Sequence, residues 1–242
     1  MPKSKAKYRR VLLKLSGEAL AGGAGRGIDP GVCGAIASEI AGIRRMGVQT
    51  GIVIGGGNIM RGAEASSIDR VTADTAGMLA TVINSLALAD FLDKAGCPCA
   101  VLTAVSIEGA GRRFSAGLAR RLLAKGAVVI IAGGTGNPFF TTDTAAALRC
   151  AEIGAEALLK ATKVDGVYDS DPVKNPKSRK FAGLTHADAL ARKLRVMDAT
   201  AFSFCMENNI PIIVFKLLQK GNLRKVIEGK QVGSLVTTGG GQ

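Results

Sequence analysis

The chain has 242 residues, of which 47% are apolar and 32 are glycine, a composition typical of a well-buried globular protein rather than a disordered one. Its formal net charge is +13, which suits an anionic partner or substrate. No run approaches 18 apolar residues without a charge or glycine, and the start "MPKSKAKYRR" lacks the apolar segment of a signal peptide, so we expect a soluble, cytoplasmic protein with no membrane partner.

The chain begins with a basic segment. Five basic residues fall within the first ten positions: Lys3, Lys5, Lys7, Arg9 and Arg10. We predict a flexible tail over residues 1 to 7 and a single domain over residues 8 to 242. Such a tail can contact nucleic acid or membrane, or it can be a solvated extension of a protein that binds an anionic substrate. The sequence has no RNA-binding signature and no zinc-finger pattern, which favours the second interpretation, in which nucleic acid is not required.

Short apolar runs then alternate with longer segments of helical period. In chain order we predict a strand at 8 to 15, a helix at 30 to 47, a strand at 48 to 54, a helix at 70 to 96, a strand at 99 to 105, a helix at 114 to 126, a strand at 127 to 133, a helix from about 142 to 154, a strand at 156 to 162, a charged loop at 163 to 180, a short helix, a helix at 198 to 209, a strand at 210 to 215, and a last helix and strand. This alternation predicts an α/β fold with a mostly parallel sheet covered on both faces.

Four of these strands run into unusual loops. They are "KLSG" at 14 to 17, "GGGN" at 55 to 58, "GGTGN" at 133 to 137 and "KATKVDG" at 160 to 166, named here the KLSG, GGGN, GGTGN and KVDG loops. In a parallel sheet all carboxyl ends lie on one edge, where ligands bind. We therefore expect the four loops to converge.

The chemistry of these loops is typical of a phosphate site. A strand-end glycine run lets backbone N–H groups approach an anion closely, because no Cβ intervenes. Arg61 follows that run, and Lys14 emerges from the end of the first strand, so the two could clamp a transferring phosphoryl group. Each loop alone is a weak signal, since paired glycines more often mark a tight turn. Four of them on one edge favour the phosphate interpretation.

Several other classes of protein are disfavoured. The sequence contains no GxxxxGK[ST], no GxGxxG and no GxSxG, which argues against a P-loop kinase, a dinucleotide oxidoreductase and an α/β-hydrolase. The five scattered cysteines include no CxxC pair, and we expect buried free thiols rather than a metal site. The single histidine, His186, argues against a Ser-His-Asp hydrolase, and we expect it near the start of a surface helix.

Five segments, in this order and spacing, resemble the bacterial-type UMP kinases of the amino acid kinase superfamily. They are "LLKLSGEAL", "VIGGGNIMRG", "GMLATVIN", "AGGTGNPFFTTDTAA" and "LKATKVDGVYDSDP". The resemblance extends from about residue 8 to 236, and "GTGNPFFTTD" separates UMP kinases from relatives that phosphorylate carboxylates or carbamate. It implies a three-layer αβα sandwich with a mostly parallel central sheet, a homohexamer built as a trimer of dimers, and transfer of the ATP γ-phosphoryl group to UMP, with Mg²⁺, in pyrimidine nucleotide biosynthesis.

The resemblance also implies the site residues. The ATP-binding residues would be Lys14, Leu15, Ser16, Gly17, Gly57, Arg61, Thr162, Tyr168 and Asp171. The UMP-binding residues would be Gly56, Asp74, Thr135, Gly136, Asn137, Pro138, Phe139, Phe140, Thr141 and Thr142. Lys14, Arg61 and Asp143 would be catalytic, and no side chain is expected to ligate the metal directly.

The roles of several of these residues remain open in the sequence. The UMP phosphate is already a dianion near neutral pH, so the reaction needs no general base. Asp143 is interpreted as an organiser that orients Lys14 or a magnesium-bound water, or alternatively as a plain helix cap. Lys160 and Lys163 are both candidates for phosphate contact. Phe139 and Phe140 are interpreted as anchors that hold the shape of their loop, and stacking on a base is the alternative.

Regulation and two other functions also remain open. Relatives of this kind respond to GTP and UTP, and the glycine loop at residues 22 to 27 lies at a place linked to such regulation, so both nucleotides are possible effectors. One alternative function is a sibling kinase that acts on an amino-acid carboxylate or carbamate. The other is a non-catalytic, nucleotide-binding regulatory protein that uses its basic tail to hold nucleic acid.

Overall fold

The structure is a computed structural model that describes residues 6–60, 67–194 and 196–239. Its helices are α1 (Gly17–Leu20), α2 (Pro30–Arg45), α3 (Arg70–Lys94), α4 (Ala116–Ala124), α5 (Thr142–Ile153), α6 (His186–Ala191), α7 (Ala199–Glu207) and α8 (Asn222–Ile227), with a 3-10 turn at Gly22–Ala24. Its strands are β1 (Arg10–Leu15), β2 (Gln49–Ile54), β3 (Cys99–Thr103), β4 (Arg112–Arg113), β5 (Val128–Ala132), β6 (Ala157–Thr162), β7 (Val167–Tyr168), β8 (Lys180–Phe181), β9 (Gly183–Thr185), β10 (Ile212–Lys216) and β11 (Ser234–Thr237).

Nine of the described strands form one sheet, in the order β4-β3-β5-β2-β1-β6-β10-β11-β9. Neighbouring strands are parallel except for β10 and β11, which run antiparallel. The strands β7 and β8 form a separate antiparallel ribbon. The predicted mostly parallel sheet is confirmed, and the reversal at β11 is a departure that the alternation of strands and helices does not indicate.

Helices cover both faces of the sheet. Successive residues of a strand point to opposite faces. In β1, Leu13 and Leu15 therefore pack with α2, α3 and α8, whereas Leu12 packs with α4, α5 and α7. In β6, Leu159 belongs to the first core and Leu158 to the second. The predicted three-layer αβα sandwich is confirmed.

The ends of the longer helices follow the local signals in the sequence. The predicted helices at 30 to 47, 70 to 96, 114 to 126, 142 to 154 and 198 to 209 differ from α2, α3, α4, α5 and α7 by no more than two residues at either end. Asp29 caps α2 by accepting a hydrogen bond from the Val32 N–H at 3.0 Å. α5 stops at Gly154, whose φ of +67° is a left-handed conformation that glycine adopts without strain.

Several short elements lie where the sequence predicts loops. The ribbon of β7 and β8 falls in and beside the predicted loop at 163 to 180, and β4 adds two residues to the edge of the sheet. α1 is a single turn directly after the KLSG loop. Elements of two to four residues are too short for a periodic pattern to indicate them.

Residues at the start of the chain are described from Ala6 onward. Residues 1 to 5 of the predicted basic tail lie outside the described residues. The N–H of Lys7 donates to the carbonyl of Ile227, at the end of α8, over 2.8 Å. Residue 7 is therefore fastened to the body of the protein.

The single histidine belongs to the core. α6 begins at His186, as predicted, and three of its residues are exposed, but the imidazole itself is fully buried. Burial lowers the pKa of His186, and the backbone of Ile210 and Thr237 partly offsets this effect. His186 follows β9, which runs opposite to β10, so it lies at the sheet edge opposite the four loops.

α3 is apolar on two sides. Its residues Leu88 and Leu92 are buried in the first core. A second apolar row, the α3 stripe, faces solvent and is 42 to 50% exposed; it consists of Val71, Leu79, Ile83 and Leu86 of the helix and of Ile68 just before it. By length and composition α3 could cross a membrane, but the core helix of a soluble protein passes the same test. The composition is also typical of a helix that packs against another chain.

Candidate active site

The four predicted loops follow neighbouring parallel strands. In the sheet, β5, β2, β1 and β6 are adjacent in that order. The GGTGN, GGGN, KLSG and KVDG loops begin at the carboxyl ends of these strands respectively. The loops therefore lie side by side on one edge of the sheet, as predicted.

The GGGN loop is in close contact with the KLSG loop on one side and with α3 on the other. A Cβ atom on Gly17 would lie 2.4 Å from Asn58 Oδ1 and 2.7 Å from the carbonyl oxygen of Gly55. A Cβ atom on Gly56 would lie 2.6 Å from the carbonyl oxygen of Gly77, in α3. Glycine at positions 17 and 56 is therefore required by close backbone approach, and the loop has no room to shift.

Two buried asparagines fasten the GGGN loop. Asn84 Nδ2, on α3, donates to the Gly55 carbonyl and to Asn58 Oδ1, both at 2.7 Å. Asn58 Nδ2 donates to Asn84 Oδ1 at 2.9 Å and to the Gly27 carbonyl at 2.7 Å. Each amide oxygen and each amide N–H thus has a partner, an arrangement that rigidifies a buried site. The second bond of Asn58 also ties the glycine loop at 22 to 27 to the GGGN loop.

Two lysines and one carboxylate form a buried cluster, the lysine–aspartate triad. Lys14 Nζ lies 2.7 Å from Asp143 Oδ1, and Lys160 Nζ lies 2.5 Å from Asp143 Oδ2. Lys14 and Lys160 are direct register partners on β1 and β6. They follow Leu12 and Leu158 on the face that packs against α5, and α5 carries Asp143 in its first turn. The alternation of the two strands therefore aims both lysines at one carboxylate.

The triad decides between interpretations that the sequence leaves open. The cap of α5 is Thr141, whose Oγ1 accepts from the N–H groups of Asp143 at 3.0 Å and Thr144 at 3.3 Å, so the interpretation of Asp143 as a plain cap is wrong. Its carboxylate contacts Lys14, one of the two groups that the organiser interpretation names. Lys163 instead lies 3.4 Å from Glu18 and is largely exposed. Lys160 is thus the lysine that joins Lys14 and Asp143.

The charges of the triad shift the titration of two of its members. Burial alone would raise the pKa of Asp143, but Lys14 and Lys160 outweigh burial and hold that pKa below its usual value. Burial, followed by the charge of Lys14, lowers the pKa of Lys160 to about 8 against the attraction of Asp143. Lys160 therefore titrates close to neutral pH, where an anion placed beside it would favour its charged form.

Asp198 holds the start of α5 from a second helix. It accepts hydrogen bonds from Thr144 Oγ1 at 2.9 Å and from Thr141 Oγ1. It also caps α7 by accepting from the Ala201 N–H at 2.9 Å. An aspartate before an apolar helix is a recognisable capping signal, but its bonds to residues more than 50 positions away are not visible in the sequence.

A cavity of about 140 Å³ lies between α3, the GGTGN loop and the start of α5. Six of the predicted UMP-binding residues line it: Gly56, Asp74, Asn137, Phe140, Thr141 and Thr142. The other four are not among its lining residues: Thr135, Gly136, Pro138 and Phe139. Asp74 accepts hydrogen bonds from Arg70 Nε and from the Phe139 N–H, each at 2.8 Å. Burial raises the pKa of Asp74, but these two donors outweigh it and lower the pKa below the usual value.

The two phenylalanines do not anchor their loop by burying their rings. Phe139 is 63% exposed and Phe140 is 52% exposed, so neither ring is packed into the core. The anchor is instead the backbone of Phe139, which adopts a φ of +68° and donates its N–H to Asp74. The ring of Phe139 lies 5.6 Å from the guanidinium of Arg70.

A second cavity, of about 510 Å³, lies beside the KVDG loop. Tyr168 and Asp171, both predicted adenosine-site residues, line it. Thr162 is not among its lining residues, and its hydroxyl donates to the Val164 carbonyl at 2.5 Å. The side chain of Leu15 is fully buried in the core, so only its backbone is available to a nucleotide. Arg61, a predicted catalytic residue, lies outside the described residues.

Within the described ranges, no three His, Cys, Asp or Glu side chains are grouped as a metal site. The carboxylate of the lysine–aspartate triad, Asp143, already faces an ammonium group with each oxygen. The described residues therefore do not supply a complete set of protein ligands for Mg²⁺.

Comparison with known proteins gives consistent results. The model of the amino acid kinase family matches residues 9–216. The structure is similar to UMP kinase from Bacillus anthracis, with a TM-score of 0.92 and 38% identity over 96% of this chain and 96% of that one. It is similar to UMP kinase from Ureaplasma parvum (TM-score 0.88, 38% identity, 96% and 99% coverage) and to uridylate kinase from Archaeoglobus fulgidus (0.72, 25%, 93% and 99%). The resemblance predicted from the motifs is confirmed.

Proposed function

The chain belongs to the amino acid kinase family, and on that premise we propose that it is a phosphotransferase that moves the γ-phosphoryl group of ATP to UMP, giving UDP and ADP. The observation that carries the proposal is the lysine–aspartate triad at the loop-bearing edge of the sheet. Similarity over nearly the whole chain to two UMP kinases supports UMP, rather than a carboxylate, as the acceptor.

The triad suits a reaction in which charge is the main barrier. The acceptor oxygen of UMP is ionised near neutral pH, so no residue has to remove a proton from it. What the site must do is hold two anionic nucleotides in line and stabilise the charge that spreads over the transferring group. Lys14 and Lys160 supply that positive charge, and Asp143 pairs with both ammonium groups and so holds them beside each other. The N–H groups of the GGGN loop add further donors.

The acceptor would occupy the cavity beside α3. Asp74 is ionised and accepts hydrogen bonds, which suits the hydroxyl groups of a ribose, and Asn137 offers both a donor and an acceptor to a base. ATP would lie over the KLSG and KVDG loops, with its adenosine in the larger cavity that Tyr168 and Asp171 line.

Magnesium would enter with ATP. Because the described residues lack a complete set of protein ligands, phosphate oxygens and water would supply most of its coordination. When bound, it supplies neutralisation of phosphate charge. We further propose that the protein acts in the cytoplasm, where both nucleotides are available, and that it has a role in pyrimidine nucleotide biosynthesis.

A coupled assay of ADP release tests the function. With ATP and Mg²⁺, we expect turnover with UMP and at least about tenfold lower kcat/KM with CMP, since loss of a base-specific hydrogen bond costs at least that factor. Glutamate and aspartate should give no turnover. The same assay with added GTP or UTP tests both as effectors, which we propose because the glycine loop at 22 to 27 is bonded to the GGGN loop through Asn58. Absence of turnover with UMP, or turnover with an amino acid instead, would overturn the proposal.

The partner of this chain is proposed to be further copies of itself, arranged as a trimer of dimers. The α3 stripe supports this, because five apolar side chains that are 42 to 50% exposed, four on α3 and one just before it, are costly in water. The double variant Ile83→Glu/Leu86→Glu should shift the protein to smaller species in analytical ultracentrifugation. Val173→Glu, at an apolar residue that is 82% exposed elsewhere, serves as the control and should leave the distribution unchanged. Equal sedimentation of wild type and double variant would contradict an interface at the stripe.

A further inference from the structure

An arginine is buried behind the GGTGN loop. Arg149, on α5, is only 5% exposed. Neither the motifs nor the proposed chemistry assigns it a role. A guanidinium remains charged at all ordinary pH values, so its burial is tolerated only where several groups compensate for lost hydration.

The compensation comes from three segments of the chain. Arg149 Nη2 donates to the carbonyl oxygens of Gly134 at 3.2 Å and Thr135 at 3.5 Å, both in the GGTGN loop. Arg149 Nη1 lies 2.6 Å from Glu152 Oε2, one turn further along α5. The guanidinium carbon also lies 4.3 Å from the centre of the ring of Phe114, which is two residues before the start of α4. Arg149 thus connects the GGTGN loop to α5 and to the residue Phe114 before α4.

The GGTGN loop needs such support. Gly133, Gly134 and Gly136 all have positive φ, at +80°, +60° and +87°. Glycines have wide conformational freedom, so the shape of this loop depends on the bonds that fix its peptide groups. Within the loop, the Gly136 N–H donates to the Gly133 carbonyl at 3.0 Å and the Asn137 N–H donates to Thr135 Oγ1 at 3.1 Å, and the bonds from Arg149 are added from outside. Arg149 fixes the carbonyls of two successive peptides. Because the peptide bond is trans, the N–H of Thr135 points to the opposite side of the loop.

The loop is held from its other end by α3. The N–H of Gly133 donates to Thr81 Oγ1 at 2.7 Å. Gly134 and Thr81 both line the cavity in which the acceptor nucleotide is proposed to bind. Arg149 is not among the residues that line this cavity. It contacts the GGTGN loop, which forms part of the cavity wall, from behind.

We propose that Arg149 is a positioning residue for the acceptor nucleotide. Its guanidinium orients the peptides of Gly134 and Thr135 and so sets the affinity of the site for UMP, with little influence on ATP. This inference rests on the proposed function for the identity of the acceptor. The physical claim, that Arg149 fixes the GGTGN loop, stands without it.

The steady-state test compares three variants. Arg149→Met should raise the KM for UMP by about tenfold or more, the scale expected for loss of charge-assisted hydrogen bonds, and leave the KM for ATP within about twofold. Arg149→Lys should lie between wild type and Arg149→Met, since an ammonium can still reach one carbonyl. Arg120→Met is the control: Arg120 Nε donates to the Glu152 carbonyl of α5 at 2.7 Å, and no bond from it to the loop is recorded in the described residues. A parallel rise in both KM values would overturn the proposal, because a general loss of structure does not discriminate between substrates.

Hydrogen exchange of the nucleotide-free protein gives a second readout that does not depend on the substrate. Backbone amides at 133 to 137 should exchange faster in Arg149→Met than in wild type or Arg120→Met, and amides of the KVDG loop should not. Unchanged exchange at 133 to 137 would overturn the positioning role even if UMP is the substrate. Conversely, a wild-type protein that does not use UMP, with faster exchange in Arg149→Met, would overturn the proposed function and leave the loop-fixing role supported. If Arg149→Met does not fold, the same measurements on Arg149→Lys and wild type provide the test.

Discussion

Replacing Lys14 by methionine is expected to lower kcat for UDP formation by about 10²- to 10³-fold, the range measured when one charge-stabilising donor is removed from an active site. The KM for either nucleotide should change far less, because the loss concerns charge that develops during transfer. The fold should survive, since Lys160 still pairs with Asp143 at 2.5 Å and no buried charge is left alone. Steady-state kinetics together with urea denaturation would measure both effects.

The control for Lys14→Met is Lys125→Met. Lys125 is exposed and caps the end of α4, before β5, so it lies at the opposite sheet edge from the four loops. The Lys125→Met substitution removes the same charge from the protein. It should leave kcat within about twofold of the wild-type value, since a screened surface charge at that distance contributes little. Equal activity of Lys14→Met and wild type would contradict the proposed role of Lys14.

Replacing Asp143 by asparagine is expected to have a large effect on stability as well as on activity. The change leaves the two lysines of the triad in a buried site without their carboxylate, and removing one partner of a buried ion pair costs about 3 to 5 kcal/mol. The pKa of Lys160, already lowered to about 8, should fall further. The unfolded chain would then bind more protons than the folded one, so the stability of this variant should rise as pH increases from 7 to 9.

A double variant separates this electrostatic effect from simple damage to α5. Asp143→Asn/Lys160→Met removes one of the two stranded charges, so it should be more stable at pH 7 than Asp143→Asn alone by about 1 kcal/mol or more, a coupling typical of residues in one network. Urea denaturation at pH 7 and pH 9 measures all four members of the cycle. Purely additive losses, with no dependence on pH, would show that Asp143 does not balance the two lysines.

Much of this architecture was accessible from the sequence because it depends on local patterns. Continuous apolar runs such as "AVVIIA" mark strands that are buried on both faces, and Pro30 and Gly154 mark the start of one helix and the end of another. Parallel pairing then places every strand-end loop on one edge. The position of the candidate site follows from those facts alone.

The features that the sequence did not reveal depend on contacts between distant segments. Lys160 joins the triad because β6 pairs with β1 in a register that sets it beside Lys14, and no local pattern specifies that register. The same holds for Asp198, which reaches Thr141 and Thr144 across two helices. His186 lies at the end of β9 beside the backbone of Ile210 and Thr237, and it reaches this place because β11 and β9 run against the other strands, a reversal that the alternation of elements does not indicate.

Few substitutions should be tolerated in the middle of α3. On its inner side, the Gly77 carbonyl abuts Gly56, Thr81 accepts the N–H of Gly133, and Asn84 holds the GGGN loop. On its outer side lie the exposed apolar residues Ile83 and its neighbours of the stripe. A substitution in this part of the helix therefore changes either the wall of the proposed acceptor site and the hold on the GGGN loop, or the surface proposed to meet another copy. Variation between relatives should accordingly be lowest where the helix is most central, and greater toward its end near Lys94, which faces water beside Asp90.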